Sequence, residues 1–126
     1  MRELAERRDV NKVKMSTEAK ILFEQLRTRV LAIDRDVLEL AESNPVSYHG
    51  PEFFLEVLPR RYKLTLLLAL DFNEVDDPLS WVQDATQWKF FVYAKYDGGV
   101  HLSVDDERTI EASVPFIRQA YEASCK

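Results

Sequence analysis

A single cysteine, Cys125, stands one residue from the end of the chain, so it has no partner for an internal disulfide and no second thiolate for a cysteine-ligated zinc site. Glycine is scarce as well. Gly50, Gly98 and Gly99 are the whole set, which excludes a phosphate-cradling glycine loop, and no Gly-x-Ser-x-Gly elbow or cysteine beside a histidine supplies a nucleophile. The two histidines, His49 and His101, fall in no His-x-x-x-His or Glu-x-x-His spacing. Neither a metal nor a cofactor is therefore expected, and no residue is assigned as catalytic. Long apolar runs are missing too: residues 66–70 stop far short of the roughly 20 that a membrane helix needs. The first residues, MRELAERRD, mix both charge signs with no apolar segment behind them, unlike a secretory leader. With the lone thiol, these absences lead us to expect a cytoplasmic protein with no membrane partner.

What is present suits one core. At 126 residues, 46% apolar and 31% charged, with no Gly/Ser linker and no repeat, the chain fits a single domain over residues 16–126, preceded by an arm or frayed helix over residues 1–15. The net charge of −5 is unevenly spread: residues 1–14 hold five basic and three acidic side chains, residues 15–126 twelve and nineteen. An acidic body works against general phosphate binding, so any nucleic-acid contact must be local. Two clusters qualify: the arm (Arg2, Arg7, Arg8, Lys12, Lys14) and Arg60, Arg61 and Lys63 around Tyr62. A solvated arm and a solvated turn account for the same residues.

Periodicity divides the chain into helices at the ends and strands between them. After Ser16 or Thr17 as a cap, Leu22, Phe23, Leu26, Val30 and Ile33 form one helical stripe. Asp34 and Asp36 then suggest a short second helix with Val37, Leu38 and Ala41 inward, stopped by Asn44-Pro45. Residues 53–58 and 62–70 alternate as strands about a turn at Pro59-Arg60-Arg61, with Leu64, Leu66, Leu68 and Leu70 on the core face and a half-covered second face. Residues 88–96 and 100–104 pair through a tight turn at Asp97-Gly98-Gly99. Asp105 or Asp106 caps a closing helix carrying Ile110, Val114, Ile117 and Tyr121, either kinked at Pro115 or starting afresh there. The fold class is α+β: an antiparallel sheet of about four or five strands with N-terminal and C-terminal helices on one face.

The succession LFEQLRTRVLAID, VSYHGPEFFLEVLPRRYKLTLLLALD, EVDDP and, after a last strand, VPFIRQAYE resembles an uncharacterised bacterial domain family. That family often lies C-terminal to nuclease-like or ParB-like restriction modules and is sometimes labelled a predicted transport protein. The ending Ile117-Arg118-Gln119-Ala120-Tyr121-Glu122 carries the likeness most closely. Typical members have a Gly-His-Trp-Gly-like segment before the last strand, where this chain has residues 87–96, QWKFFVYAKY. The order of elements is also similar to small domains of the YdhG and YjbR types. The resemblance implies a restriction-associated accessory domain and supplies no reaction.

Tyr48 and His49 have the residue types of a general acid/base pair, although a short strand ending in the Gly50-Pro51 turn explains them better. His101 lies in the last strand and would need carboxylate help, from Asp71 or Asp84, to hold a metal. The acidic residues 71–78 lack the EF-hand spacing and suit a solvated turn. Alternation puts Trp88 and Phe90 on one face and Lys89, Phe91, Tyr93 and Lys95 on the other, a pattern that grips a partner, stacks bases or fills a core. The expectation is a non-catalytic binding or assembly module with a protein partner or a second copy of itself. The alternatives are a nucleic-acid accessory domain using Arg60, Arg61 and Lys63, and a small-molecule enzyme built on Tyr48, His49 and His101. Trp88 and Tyr93 complete the candidate binding residues.

Overall fold

Ser16 opens the first helix: its hydroxyl accepts from the Ala19 amide at 3.0 Å, satisfying one of the donors that a helix start leaves without a partner. The computed structural model describes residues 13–41, 45–85 and 99–126. Helix α1 (Thr17–Leu31) buries Leu22, Phe23, Leu26 and Val30 of the predicted stripe together with Ala19, and it ends before Ile33, which packs against the core from the turn that follows.

The chain then departs from expectation. Asp34 makes a tight turn, its carboxylate accepting from the Asp36 amide at 2.8 Å and its carbonyl from the Val37 amide at 3.1 Å. Residues 38–41 follow as a strand, β1 (Leu38–Ala41), instead of the predicted second helix. Few residues separate the Asp34 turn from Pro45, and so short an apolar run fits either period. A neighbouring strand decides it: β1 pairs along its whole length with β2 (Val46–His49). β2 is therefore an interior strand.

β3 (Phe53–Pro59), β4 (Leu64–Leu68), β5 (Gln83–Asp84) and β6 (Val100–Val104) complete an antiparallel sheet in the order β1-β2-β3-β4-β6-β5. The six strands among the described residues exceed the expected four or five through the two short edges, and short edges offer little template for stray pairing. The strand expected over residues 88–96 and the first two turn residues, Asp97 and Gly98, lie outside the described residues. Gly99 is in the left-handed region at φ 117°, and a Cβ there would come 2.8 Å from the Leu68 carbonyl oxygen, so only glycine fits.

Register sorts the sheet into two faces, because residues opposite one another in an antiparallel pair point the same way. One face gathers Val46, Tyr48, Leu55, Val57, Leu64, Leu66, Leu68, Val100, Leu102 and Val104 into the core with both helices. Each fully buried leucine there contributes roughly 1.5–3 kcal/mol. A register shift after Tyr48 lets Phe54 join this side, edge-on to Tyr121 with centroids 5.4 Å apart. The second face carries the cross-strand row Ser47, Glu56, Leu67 and His101. It is more covered than the sequence suggests, since Ser47, Glu56, Thr65 and Leu67 are all buried.

Helix α2 (Glu107–Ser124) starts at Asp106 with a reciprocal cap in which Asp106 accepts from the Thr109 amide at 2.8 Å and the Asp106 amide donates to Thr109 Oγ1. It runs through Pro115 without a new start. Pro115 and Glu111, one turn earlier, are both exposed, so solvent can serve the Glu111 carbonyl that proline leaves without a donor. No helix among the described residues is long and apolar enough to cross a membrane.

Candidate functional site

Tyr48 is fully buried in the core, and its hydroxyl donates to Glu39 Oε2 at 2.7 Å. Glu39 sits opposite it on β1 and accepts from two Arg27 nitrogens of α1, Nε at 2.8 Å and the terminal Nη2 at 3.0 Å. Burial, and then the Glu39 charge, push the Tyr48 phenol well above its ordinary value, while the hydrogen bond to Glu39 raises Arg27 further. A phenol held this firmly to its proton, with no solvent access, positions an edge strand and a helix. It is not placed to exchange a proton with a ligand.

His49 and His101 share the second face of the sheet but stand on β2 and β6, with β3 and β4 between them. Three strand spacings put them at least about 14 Å apart, beyond any joint proton transfer or shared metal. His49 Nε2 is 3.2 Å from Ser47 Oγ, and its ring lies edge-on to Phe53 at 5.6 Å. His101 is half-buried and held below the usual histidine value, first by burial, with Asp84 opposing and Lys63 adding to the shift. Gly50, beside His49, has a packing role: a Cβ there would lie 2.8 Å from Ser124 Oγ and 2.9 Å from Tyr121 Cε1.

The acidic loop after β4 is held partly by its own carboxylates and partly by α2. Asp71 accepts from the Asn73 amide and Asp77 from the Val82 amide, while Gln119 of α2 both donates to and accepts from the Asp76 backbone. A cleft of about 370 Å³ beside it is lined by Asp71, Glu74, Gln119, Glu122 and Lys126, among others. Among the described residues no group of three His, Cys, Asp or Glu is placed to hold a metal ion.

The opposite end of β4 has the opposite charge. There Lys14, Met15 and Ser16, leading into α1, meet Pro59, Arg60 and Arg61 around a groove of about 350 Å³. The Ser16 hydroxyl donates to the Arg61 carbonyl and ties the two segments together. The turn is a two-residue hairpin in which the Arg60 amide donates to the Lys63 carbonyl at 2.8 Å, leaving Arg61 and Tyr62 at its tip. Arg60 Nε donates to Thr65 Oγ1 at 3.2 Å, which orients its guanidinium. Lys14, Arg60 and Arg61 form no ion pair with a carboxylate of the described residues. By contrast, Arg27 is held by Glu39, and Arg29 by Glu107 and Glu111.

Of the residues that the sequence offers as a site, Arg60 and Arg61 come together with Lys14. Lys63 lies beside them with its charge acting on His101. Tyr48, His49 and His101 do not converge, and Trp88 and Tyr93 lie outside the described residues. Sequence reasoning missed Glu39 and Arg27, whose meeting depends on reading residues 38–41 as a strand. It also missed the joining of Lys14 to the turn, which no local pattern encodes. Comparison of the chain with protein-family models, with curated proteins and with solved structures gives no match.

Proposed function

We propose that the chain is a non-catalytic binding module that holds the phosphate backbone of a nucleic acid in the groove formed by Lys14, Arg60 and Arg61. The observation that carries this reading is the convergence on one groove of three cations that have no acidic partner among the described residues, in a protein whose net charge is −5. Cations left without carboxylates, on an otherwise acidic surface, concentrate the attraction for an anion at one place and discourage contact elsewhere. Upstream of Lys14 the sequence adds Arg2, Arg7, Arg8 and Lys12 against Glu3, Glu6 and Asp9. The resemblance to domains that accompany nuclease-like modules points in the same direction. An acid/base enzyme built on Tyr48, His49 and His101 has no comparable support, because the phenol is buried and the imidazoles are strands apart.

The test is a salt titration of binding to a labelled oligonucleotide. Three phosphate contacts to a single strand give a log–log slope of about −2, and replacing Lys14, Arg60 and Arg61 together by glutamine flattens it. The absence of binding at low salt, or a slope unchanged by the triple substitution, overturns the proposal.

A further inference from the structure

We infer that the groove takes a single strand, with one unpaired base stacked on the ring of Tyr62; this rests on the phosphate-binding reading of the groove. Tyr62 is 60% exposed although it is a large aromatic residue, and it occupies the tip of the β3–β4 hairpin beside Arg61. The Arg61 guanidinium lies over its ring, 5.2 Å from the centroid, so the side chain that lines the groove also braces the aromatic face. Two rigid strands support this tip, and Pro59 at the end of β3 restricts its approach.

An exposed ring flanked by a guanidinium, next to cations that meet phosphates, is the combination by which proteins hold single strands: the backbone follows the charge and a base stacks on the π-face. A duplex keeps its bases stacked on one another and offers Tyr62 no free face.

The experiment compares three probes on the full chain: an oligothymidylate, an abasic phosphodiester of the same length, and a blunt-ended two-strand duplex. Tyr62→Ala is expected to weaken oligothymidylate binding by about 5- to 150-fold, the loss of one base stack. Tyr62→Phe, which keeps the π-face, retains the affinity. The abasic strand is expected to bind the wild-type protein about as weakly as oligothymidylate binds Tyr62→Ala, and with the same salt slope. Equal binding of oligothymidylate by the wild type and Tyr62→Ala, or duplex binding as tight as single-strand binding, overturns the stacking inference while leaving the groove as a phosphate site. Loss of all salt-dependent binding overturns both. Because Tyr62 is exposed, a thermal melt of each variant confirms that folding is retained.

Discussion

The Tyr48 hydroxyl donates to Glu39 Oε2 at 2.7 Å, and Glu39 in turn accepts both Nε and Nη2 of Arg27. One carboxylate thus fastens the interior of the sheet, its short edge strand β1 and helix α1 at a single point. Tyr48→Phe keeps the ring and its packing but removes the hydroxyl. The expected cost is about 1–3 kcal/mol, the range for breaking a buried hydrogen bond to a charged group, read from urea unfolding. Oligonucleotide binding in the distant groove should be unchanged. A stability equal to wild type means that the contact is worth nothing net.

The same phenol makes stability sensitive to alkali. Tyr48 in the folded protein titrates well above the ordinary value of 10.0, because burial and the Glu39 charge disfavour its anion. Its contribution is fully present below that value. As the pH rises above 10, the unfolded chain gives up the proton first, and stability falls until the folded phenol also ionises. Tyr121, pushed up to about 12, acts in the same direction, so the informative quantity is the difference between wild type and Tyr48→Phe. That difference is expected to shrink as the pH passes 10, measured by urea unfolding across the alkaline range. A constant difference contradicts the burial of the hydroxyl.

At the acid side His101 plays the opposite part. Its folded value lies below the ordinary 6.5, first because burial disfavours the imidazolium. The unfolded chain therefore takes up this proton first as the pH falls below 6.5, and the folded state loses stability until its own imidazole is protonated. Two-dimensional NMR should show His101 titrating below 6.5. Lys63→Gln removes a positive charge that also lowers it, so the midpoint is expected to rise in that variant. A midpoint at or above 6.5 in the wild type excludes this environment.

Helix stripes, caps and the β3–β4 and β6 strands were legible in the sequence because each is a local pattern: Leu22, Phe23, Leu26 and Val30 recur at helical spacing, and Leu64, Leu66 and Leu68 alternate. Residues 38–41 were not, since a run of Leu-Glu-Leu-Ala fits a helix turn as well as a strand, and only pairing with β2 selects between them. The site followed the same division. Arg60, Arg61 and Lys63 announced themselves as adjacent cations in a turn. The meeting of Arg60 and Arg61 with Lys14 is a tertiary fact, held by the Ser16 hydroxyl on the Arg61 carbonyl. Tyr48 and His49 were legible as the end of a short strand, but residue type does not show that the phenol is buried.

Gly50 links the β2–β3 turn to the end of α2. A methyl group there would meet Ser124 Oγ at 2.8 Å and Tyr121 Cε1 at 2.9 Å, and Tyr121 is itself packed edge-on against Phe54. Gly50→Ala is therefore expected to cost about 1–3 kcal/mol by overpacking, through displacement of the last turn of α2. Pairing it with Ser124→Gly, which removes the closest atom, should recover part of the loss in a double-mutant cycle. Strict additivity of the two changes would show that the helix end does not rest on this turn.

Ser16 couples the fold to the groove, and two substitutions separate its roles. Its hydroxyl accepts from the Ala19 amide to cap α1 and donates to the Arg61 carbonyl beside the groove. Ser16→Ala loses both contacts without adding charge, so stability should fall by about 1 kcal/mol. Lys14, Arg60 and Arg61 remain, and oligonucleotide affinity should drop only slightly. Ser16→Asp keeps an oxygen to cap the helix, and its charge suits the helix start. It also places a carboxylate among the three cations, where it competes with phosphate. Its thermal midpoint should stay nearer to wild type than that of Ser16→Ala, while its affinity should fall at least about 10-fold and its salt slope should become shallower by about 0.7, the share of one phosphate contact on a single strand. Affinity that follows stability across the two variants, instead of charge, would mean that the groove does not bind phosphate.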